Sequence, residues 1–443
     1  MTHAHATRRP RRSGKATGPV ELRALQVAWL AGSVFIVSAG YGALLPVLPG
    51  WLASLMPGAS TAEVGRHVGF VSGVYAAGVL LGAPLWGAVS DRAGRGRVLI
   101  IGLVGYVGSL LLLLVPSLAG LWGLYTLRGT TGFFVAAVVP VVAALVAEHT
   151  PEAQRARRFA WLGAMSLLGF LFGPTLSAVA GWVGPWLADG ALSPALSARA
   201  ALVLSALLGG VMMLGLARTL PASLDDGAED RSQAPVSAEA QPAALLSLSA
   251  AVMFVLAGFE LGIVLLGQQA GQSSRQAAIM LAECSLVMLG VNAMLFITSL
   301  LEKISARILM AAGLLLAVIG LAVLAADRSD GLMYLGVSLT SAGTGLVLPV
   351  IAYLAAGASP RKLGVVMGGL AAASGLGQTI GSAAGGWLFG ALNHWSFGWL
   401  TLPLILMAGL VVVRPGWWTV VVHAAPTVRS QRTGVHVEGA ESS

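Results

Sequence analysis

Arg128, Glu260 and Glu283 are ionisable side chains set inside long apolar runs of this 443-residue chain. A charge at the centre of a membrane helix costs at least ~2.5–3.5 kcal/mol on insertion scales, so each should face a partner or a wet cavity. A carboxyl in that setting responds to its surroundings: desolvation disfavours the charged form, and a nearby cation or water favours it. Opening a cavity to one side and then the other would alternate those conditions, a physical basis for carrying a proton. Glu260 lies about sixteen residues into its run, roughly 24 Å along at ~1.5 Å per residue. Glu283 lies about seven residues in from the start of the next run, at a similar level. A neutral carboxylic acid bonded across helices is the simpler role for either, and Asn292 could join Glu283 in a structural polar network.

The elements that must position these groups are membrane helices. The chain is 56% hydrophobic and 10% charged, against ~25% charged in soluble domains. Too little polar material remains to coat a globular surface, which excludes an ordinary cytosolic enzyme and a disordered chain. Glycine, 58 of 443 residues, suits helices whose backbones approach closely in lipid. A span needs about 20 mostly apolar residues. Twelve such runs occur, at about 24–49, 64–88, 98–116, 119–147, 158–182, 197–217, 244–267, 276–300, 308–326, 331–356, 363–391 and 395–414. Between the sixth and seventh, 218–243 holds five acids and three prolines and reads as a flexible linker. The organisation is therefore a basic tail (1–23), a six-helix half (24–217), the linker (218–243), a second six-helix half (244–414) and a tail (415–443).

Arginines at 8, 9, 11 and 12 precede the first run, but that run far exceeds the 7–15 residues of a signal h-region. It reads as an uncleaved span. Of the 26 Lys and Arg, 21 fall on one side of the bundle, with both termini. The positive-inside rule makes that side cytoplasmic. The net charge of +8 thus reports topology, with no call for nucleic acid. His67 and His394 lack metal-ligand spacing, and a lone cysteine, Cys284, excludes an intrachain disulfide. Neither a catalytic nucleophile–base spacing nor a G-x-x-x-x-G-K phosphate loop occurs. Trp51, Trp182, Trp186, Trp395, Trp417 and Trp418 lie near span ends, as in an aromatic belt.

The halves echo each other. Pro140-Val-Val-Ala matches Pro349-Val-Ile-Ala and Pro151 matches Pro360 at an offset of 209, and Gly169-x-x-x-Gly173 matches Gly377-x-x-x-Gly381 at 208. A parallel repeat implies a pseudo-twofold axis along the membrane normal, with a site between the halves near the midplane.

Several segments carry a resemblance. Gly87-Ala-Val-Ser-Asp91-Arg92-Ala-Gly94-Arg95-Gly96-Arg97 resembles the loop signature of the major facilitator superfamily, with Gly96 where a basic residue is usual. Physically, its glycines allow a tight turn, Asp91 could cap the next helix and the arginines could bridge to neighbouring helix ends. Arg128-Gly-Thr-Thr-Gly132 resembles that family's R-x-x-x-G motif, with Thr131 in place of glutamine. Gly169-x-x-x-Gly173-Pro174 resembles its antiporter motif, as does Gly377-x-x-x-Gly381 with Gly385-Gly386. With Gly40-Tyr41-Gly42 ending the first span, the first half is most similar to the tetracycline and multidrug efflux branch.

The resemblance implies a secondary active, proton-coupled exporter of drugs or amphiphilic metabolites, working by rocking one half against the other. It implies a bacterial inner-membrane monomer with a small-molecule substrate, lipid as surroundings and no cofactor beyond the proton gradient. The 87–97 loop would brace the cytoplasmic contact between halves. Helices one, four, seven and ten would line the cavity, favouring Glu260 and Arg128 over Glu283, with Ser38, Tyr41, Thr340, Ser341 and Thr344 as cavity polar groups. Gln268 and Gln269 would lie at the outer mouth. Residues 24–49 contain no acid, unlike many drug–proton antiporters. Export of an anionic siderophore-like metabolite, with Arg128 as counter-charge, and a non-transporting sensor or scaffold are the alternatives.

Overall fold

In lipid a chain of this composition must satisfy its backbone internally, and helices do so within one segment. Every regular element among the described residues is a helix. The computed structural model describes residues 22–115, 117–118, 120–150, 152–188, 194–220, 243–271, 274–298, 300–326, 329–358 and 363–414. The first half holds α1 (Ala24–Leu44), α2 (Leu48–Leu55), α3 (Thr61–Ala93), α4 (Arg95–Leu112), α5 (Leu121–Val135), α6 (Val139–Glu148), α7 (Glu152–Ala188) and α8 (Pro194–Thr219). The second holds α9 (Ala243–Gln269), α10 (Ser274–Ile297), α11 (Leu300–Lys303), α12 (Ala306–Ala326), α13 (Asp330–Ala358), α14 (Leu363–Leu392) and α15 (Trp395–Val413). Ten candidate spans are long and apolar enough to cross a membrane. The 37-residue α7, with its apolar stretch Trp161–Ser177, and the 30-residue, glycine-rich α14 complete the twelve. The linker falls between α8 and α9. Most of it, residues 1–21 and 415–443, Pro151 and Pro360 lie outside the described residues.

Proline breaks two runs expected to be continuous. α1 stops at Leu44 and α2 restarts at Leu48, with Pro49 in its first turn. α5 stops at Val135 and α6 restarts with Pro140 in its first turn. A proline inside a helix removes one backbone donor and collides with the carbonyl four residues back. Ala137 N–H and Val138 N–H accordingly donate to carbonyls three residues back, at Phe134 and Val135. Pro349, the repeat mate of Pro140, sits inside unbroken α13.

The packing obeys the twofold. α1 packs on α7 as α9 packs on α14; α3 on α5 as α10 on α13; α4 on α8 as α12 on α15. Two principal pairs join the halves, α3 with α14 and α7 with α10, and exchanging the halves turns one into the other. Glycines set these crossings. A Cβ on Gly169 would strike the Phe35 carbonyl, and one on Gly173 would sit 2.7 Å from that of Ala39. In the second half Gly377 and Gly381 meet the Ala250 and Phe254 carbonyls in the same way. Gly385 continues that stripe, its Cβ position 2.6 Å from Gly258 Cα. Gly386, one residue on, faces the other half: its Cβ position lies 2.5 Å from Gly65 O and 2.6 Å from Gly69 Cα.

The α3–α14 seam is one-sided. It runs from Ala62 against Gly390, through Gly69 against Ser382 and Gly73 against Thr379, to Leu80 against Gly375. Beyond that, toward the arginine-rich end of α3, a Cβ on Gly87 would find nothing within 4 Å. The halves are closed along the seam toward the arginine-poor face.

Candidate functional site

Arg128 takes its place from Gly132, one turn further along α5. A side chain at Gly132 would collide with the Tyr75 carbonyl, so its absence lets α5 lie against α3. The Arg128 guanidinium then stands 4.4 Å from the Tyr75 ring centroid and 6.0 Å from that of Tyr41. Tyr41 is itself sandwiched between Tyr75 at 4.9 Å and Phe170 at 5.2 Å. A guanidinium over an aromatic face is attracted by the ring quadrupole, but a ring does not neutralise its charge. Arg128 is 3% exposed, its Nε has no hydrogen-bond partner and no described carboxylate pairs with it. Thr131, in the position of the usual glutamine, donates to Leu127 O and to Ser109 Oγ on α4, at 2.7 and 2.9 Å.

Glu260 enters from the other half. It is 7% exposed on α9, and no described donor or cation is bonded to its carboxyl. The Tyr41 phenol and the Cys284 thiol are among its neighbours. It lies nine residues before Gln269, about 14 Å from that helix end, and Arg128 lies seven beyond Leu121, about 11 Å from its own. Both ends are on the arginine-poor side, so the two charges share a level alongside the seam. Tyr41 neighbours both, and its buried hydroxyl lies beside Gln378 of α14. Tyr75, Gln378 and Cys284 thus belong to the site although their local sequence did not single them out.

Glu283 is held apart from this group. One carboxylate oxygen accepts a 2.5 Å bond from Ser338 Oγ on α13, and the other is buried without a partner. Asn292 does not join it, because its amide donates to Met288 O in its own helix. Among the other polar positions, Ser38 bonds Ser166 of α7 at 3.0 Å. At the equivalent crossing Ser249 bonds Ser374, at 2.7 Å. Thr340 packs on Gly320 of α12 and bonds Gly336 O, which turns it into the α12–α13 contact. Ser341 bonds Val337 O and lies beside Cys284; Thr344 bonds Thr340 O. Gln269 donates to Asn393 at 2.8 Å, Gln268 leaves a buried oxygen unpaired, and His67 bonds Tyr125 at 2.7 Å. Trp51 is 2% exposed, so it belongs to the core instead of an interfacial belt, whereas Trp395 is exposed.

The 87–97 loop is a single residue. α3 continues to Ala93 and α4 begins at Arg95, with Gly94 between them at φ 96°, a left-handed conformation that favours glycine. Asp91 is therefore in the last turn of α3 and does not cap α4, whose N-cap Gly94 offers no side chain. Its carboxylate pairs with Arg95 at 2.8 Å. Arg95 reaches onward to Glu148 at the end of α6, at 2.9 Å, and to Ser90 Oγ, also at 2.9 Å. Arg92 lies in the last turn of α3, Arg97 in the first turn of α4, and Gly87 faces open space.

A twofold helical membrane scaffold with unpaired charges between its halves defines a transporter class. The Major Facilitator Superfamily family model matches residues 30–304 and 285–436, and the chain belongs to that superfamily. It is 36% identical over 149 residues to the class B tetracycline resistance protein of Escherichia coli, covering 33% of this chain and 35% of that protein. It is 27% identical over 149 residues to the quinolone resistance protein NorA of Staphylococcus aureus strain N315, covering 34% and 36%. These alignments span about a third of each relative's length. In fold it is similar to the human organic anion transporter MFSD10 (TETRAN), with TM-score 0.65 and 21% identity over 87% of this chain and 99% of that one. The protein is a multi-pass membrane protein of that superfamily.

Proposed function

We propose that the protein is a proton-coupled exporter of drugs or small amphiphilic metabolites, working by rocker-switch alternating access in a bacterial inner membrane. The observation that carries this reading is Glu260: a buried carboxyl without a described partner, alongside a seam closed on one side only. With the arginine-rich face and both termini in the cytoplasm, the conformation described is inward-open, ready to load substrate. Re-closure on the cytoplasmic side would part the α3–α14 seam and expose Glu260 to the other aqueous phase. A carboxyl moved between a wet and a dry setting binds and releases a proton. No acid is present in α1, so coupling falls to the second half. The resistance proteins to which about a third of the chain is similar support drugs as substrates.

Reconstituted vesicles with an imposed pH gradient test this. Substrates found in an accumulation screen should drive proton movement in the native protein and none in Glu260→Gln; unchanged proton flux removes Glu260 from the role. A second reading, export of an anionic metabolite, is favoured by the unpaired guanidinium of Arg128. On either reading the protein works as a monomer with no cofactor beyond the gradient.

A further inference from the structure

Trp86, two turns before the end of α3, makes a hydrogen bond outside the charged site. Its indole N–H donates to the Phe133 carbonyl at 2.8 Å, and its ring centroid lies 5.3 Å from that of Phe133 and 5.8 Å from that of Phe134. That carbonyl is free because the backbone breaks there. In an unbroken helix the Ala137 amide would donate to it; here that amide turns to Phe134 O. A backbone carbonyl left unpaired inside a membrane protein is costly, and Trp86 supplies the missing donor. Gly82, one turn earlier on α3, makes room for the approach. A Cβ there would lie 2.8 Å from the same carbonyl and 2.9 Å from Ala136 Cβ.

Pro140 alone does not account for the break. Its repeat mate Pro349 sits inside α13, which runs unbroken from Asp330 to Ala358. At the repeat offset of 208–209 the counterparts of Trp86 on α10 are Met294 and Leu295, neither of which has a side-chain hydrogen-bond donor. The helix beside the indole is broken and its mate is not. The broken segment is also pinned at its far end. Glu148, the last residue of α6, pairs with Arg95, which reaches Asp91 and Ser90 in the last turn of α3. Both ends of α6 are therefore held by residues on or beside the final two turns of α3, the helix that also forms the seam.

We propose that Trp86 is a positioning residue, the latch of a hinge at residues 136–138. Its indole N–H holds α6 at its present angle to α5 in the seam-closed state. Giving up that bond lets the Ala137 amide return to Phe133, and α6 swings as the seam parts. Two donors compete for one carbonyl, so the hinge has two discrete settings instead of a continuous range. The inference rests on alternating access and involves neither the substrate nor Glu260.

The test uses full-length protein in lipid nanodiscs, in a Cys284→Ser background. Trp86→3-benzothienylalanine, introduced by amber suppression, keeps the fused ring and replaces its N–H by sulfur; Trp86→Phe is the encoded counterpart. Spin labels at Ala144 on α6 and at Leu207, exposed on α8, report the hinge by pulsed dipolar spectroscopy. In a separate variant a cysteine at Ser382 reports the seam by its rate of reaction with a membrane-impermeant maleimide. With Trp86 in place one distance should dominate. Loss of the N–H should raise a second distance population, and speed Ser382 labelling, by about threefold to tenfold. Pro140→Ala alone should leave the first distance dominant, because the latch remains. An unchanged distance distribution in both Trp86 variants overturns the proposal, even if thermal stability falls, since Trp86 is then a packing residue. So does a second population raised by Pro140→Ala and not by loss of the N–H, or a changed distance while Ser382 keeps a measurable, unaltered rate. None of these outcomes touches proton movement through Glu260. A Ser382 cysteine that labels in no variant while the distances change overturns alternating access instead.

Discussion

Replacing Gly386 with alanine probes how the arginine-poor face is kept closed. The added Cβ would sit 2.5 Å from Gly65 O and 2.6 Å from Gly69 Cα, both on α3 in the opposite half. Ordinary carbon contacts lie at ~3.5–4.0 Å, so α3 and α14 must separate by about 1 Å along the centre of the seam. The obstacle is backbone on both sides and no rotamer change relieves it. Overpacking of this size costs typically ~1–3 kcal/mol, and the penalty falls on the seam-closed state alone, because the contact disappears when the halves part. The closed-to-open ratio should drop by a factor of ~5–150. Gly385→Ala is the matched control: its Cβ would be 2.6 Å from Gly258 Cα on α9, inside the same half. That change should lower thermal stability and leave the ratio alone. The assay places a cysteine at Ser382, a buried seam position, in a Cys284→Ser background and measures labelling by a membrane-impermeant maleimide. Faster labelling is expected with Gly386→Ala and not with Gly385→Ala. Equal labelling in the two, or none in either, would refute the assignment of Gly386 to the gate and Gly385 to the half.

Other perturbations separate roles in the same way. Gly132→Val should push α5 off the Tyr75 backbone, carry Arg128 away from its ring and weaken binding of substrates found in the accumulation screen, while native-like helix content by circular dichroism persists. Asp91→Asn removes a pair whose carboxylate is 61% exposed, so folding should change by no more than ~1 kcal/mol; the expected effect is slower turnover with substrate affinity retained, and intact turnover counts against a switching role. Ser338→Ala strips Glu283 of its described donor and should cost ~1–3 kcal/mol of stability without touching proton coupling. Coupling lost as completely as in Glu260→Gln would move the proton site to Glu283.

The helices and their grouping were legible because they depend on local composition. Apolar length gave the spans, and the glycine spacing gave the packing stripes, since Gly169, Gly173, Gly377 and Gly381 meet carbonyls in equivalent places. The division of labour between Gly385 and Gly386 was not legible: adjacent residues point about 100° apart around a helix, and only the crossing of α14 over two partners decides which meets which. Asp91 was misplaced because Gly94 alone makes the turn, leaving the aspartate on the earlier helix. Trp51 sits near a span end in sequence but is buried, because α2 continues past the break at residues 45–47. Tyr75 and Gln378 carry no motif; they join the site only once α3 and α14 are rotated against each other. Thr340 was expected in the cavity from its helix, and Gly320 on α12 draws it into the neighbouring contact instead.

Substrate-driven proton movement in sealed vesicles, native protein against Glu260→Gln, bears most directly on the account. The native protein should move protons opposite to substrate when substrate is added, and the glutamine variant should bind substrate yet move none. Equal proton movement in both would contradict it.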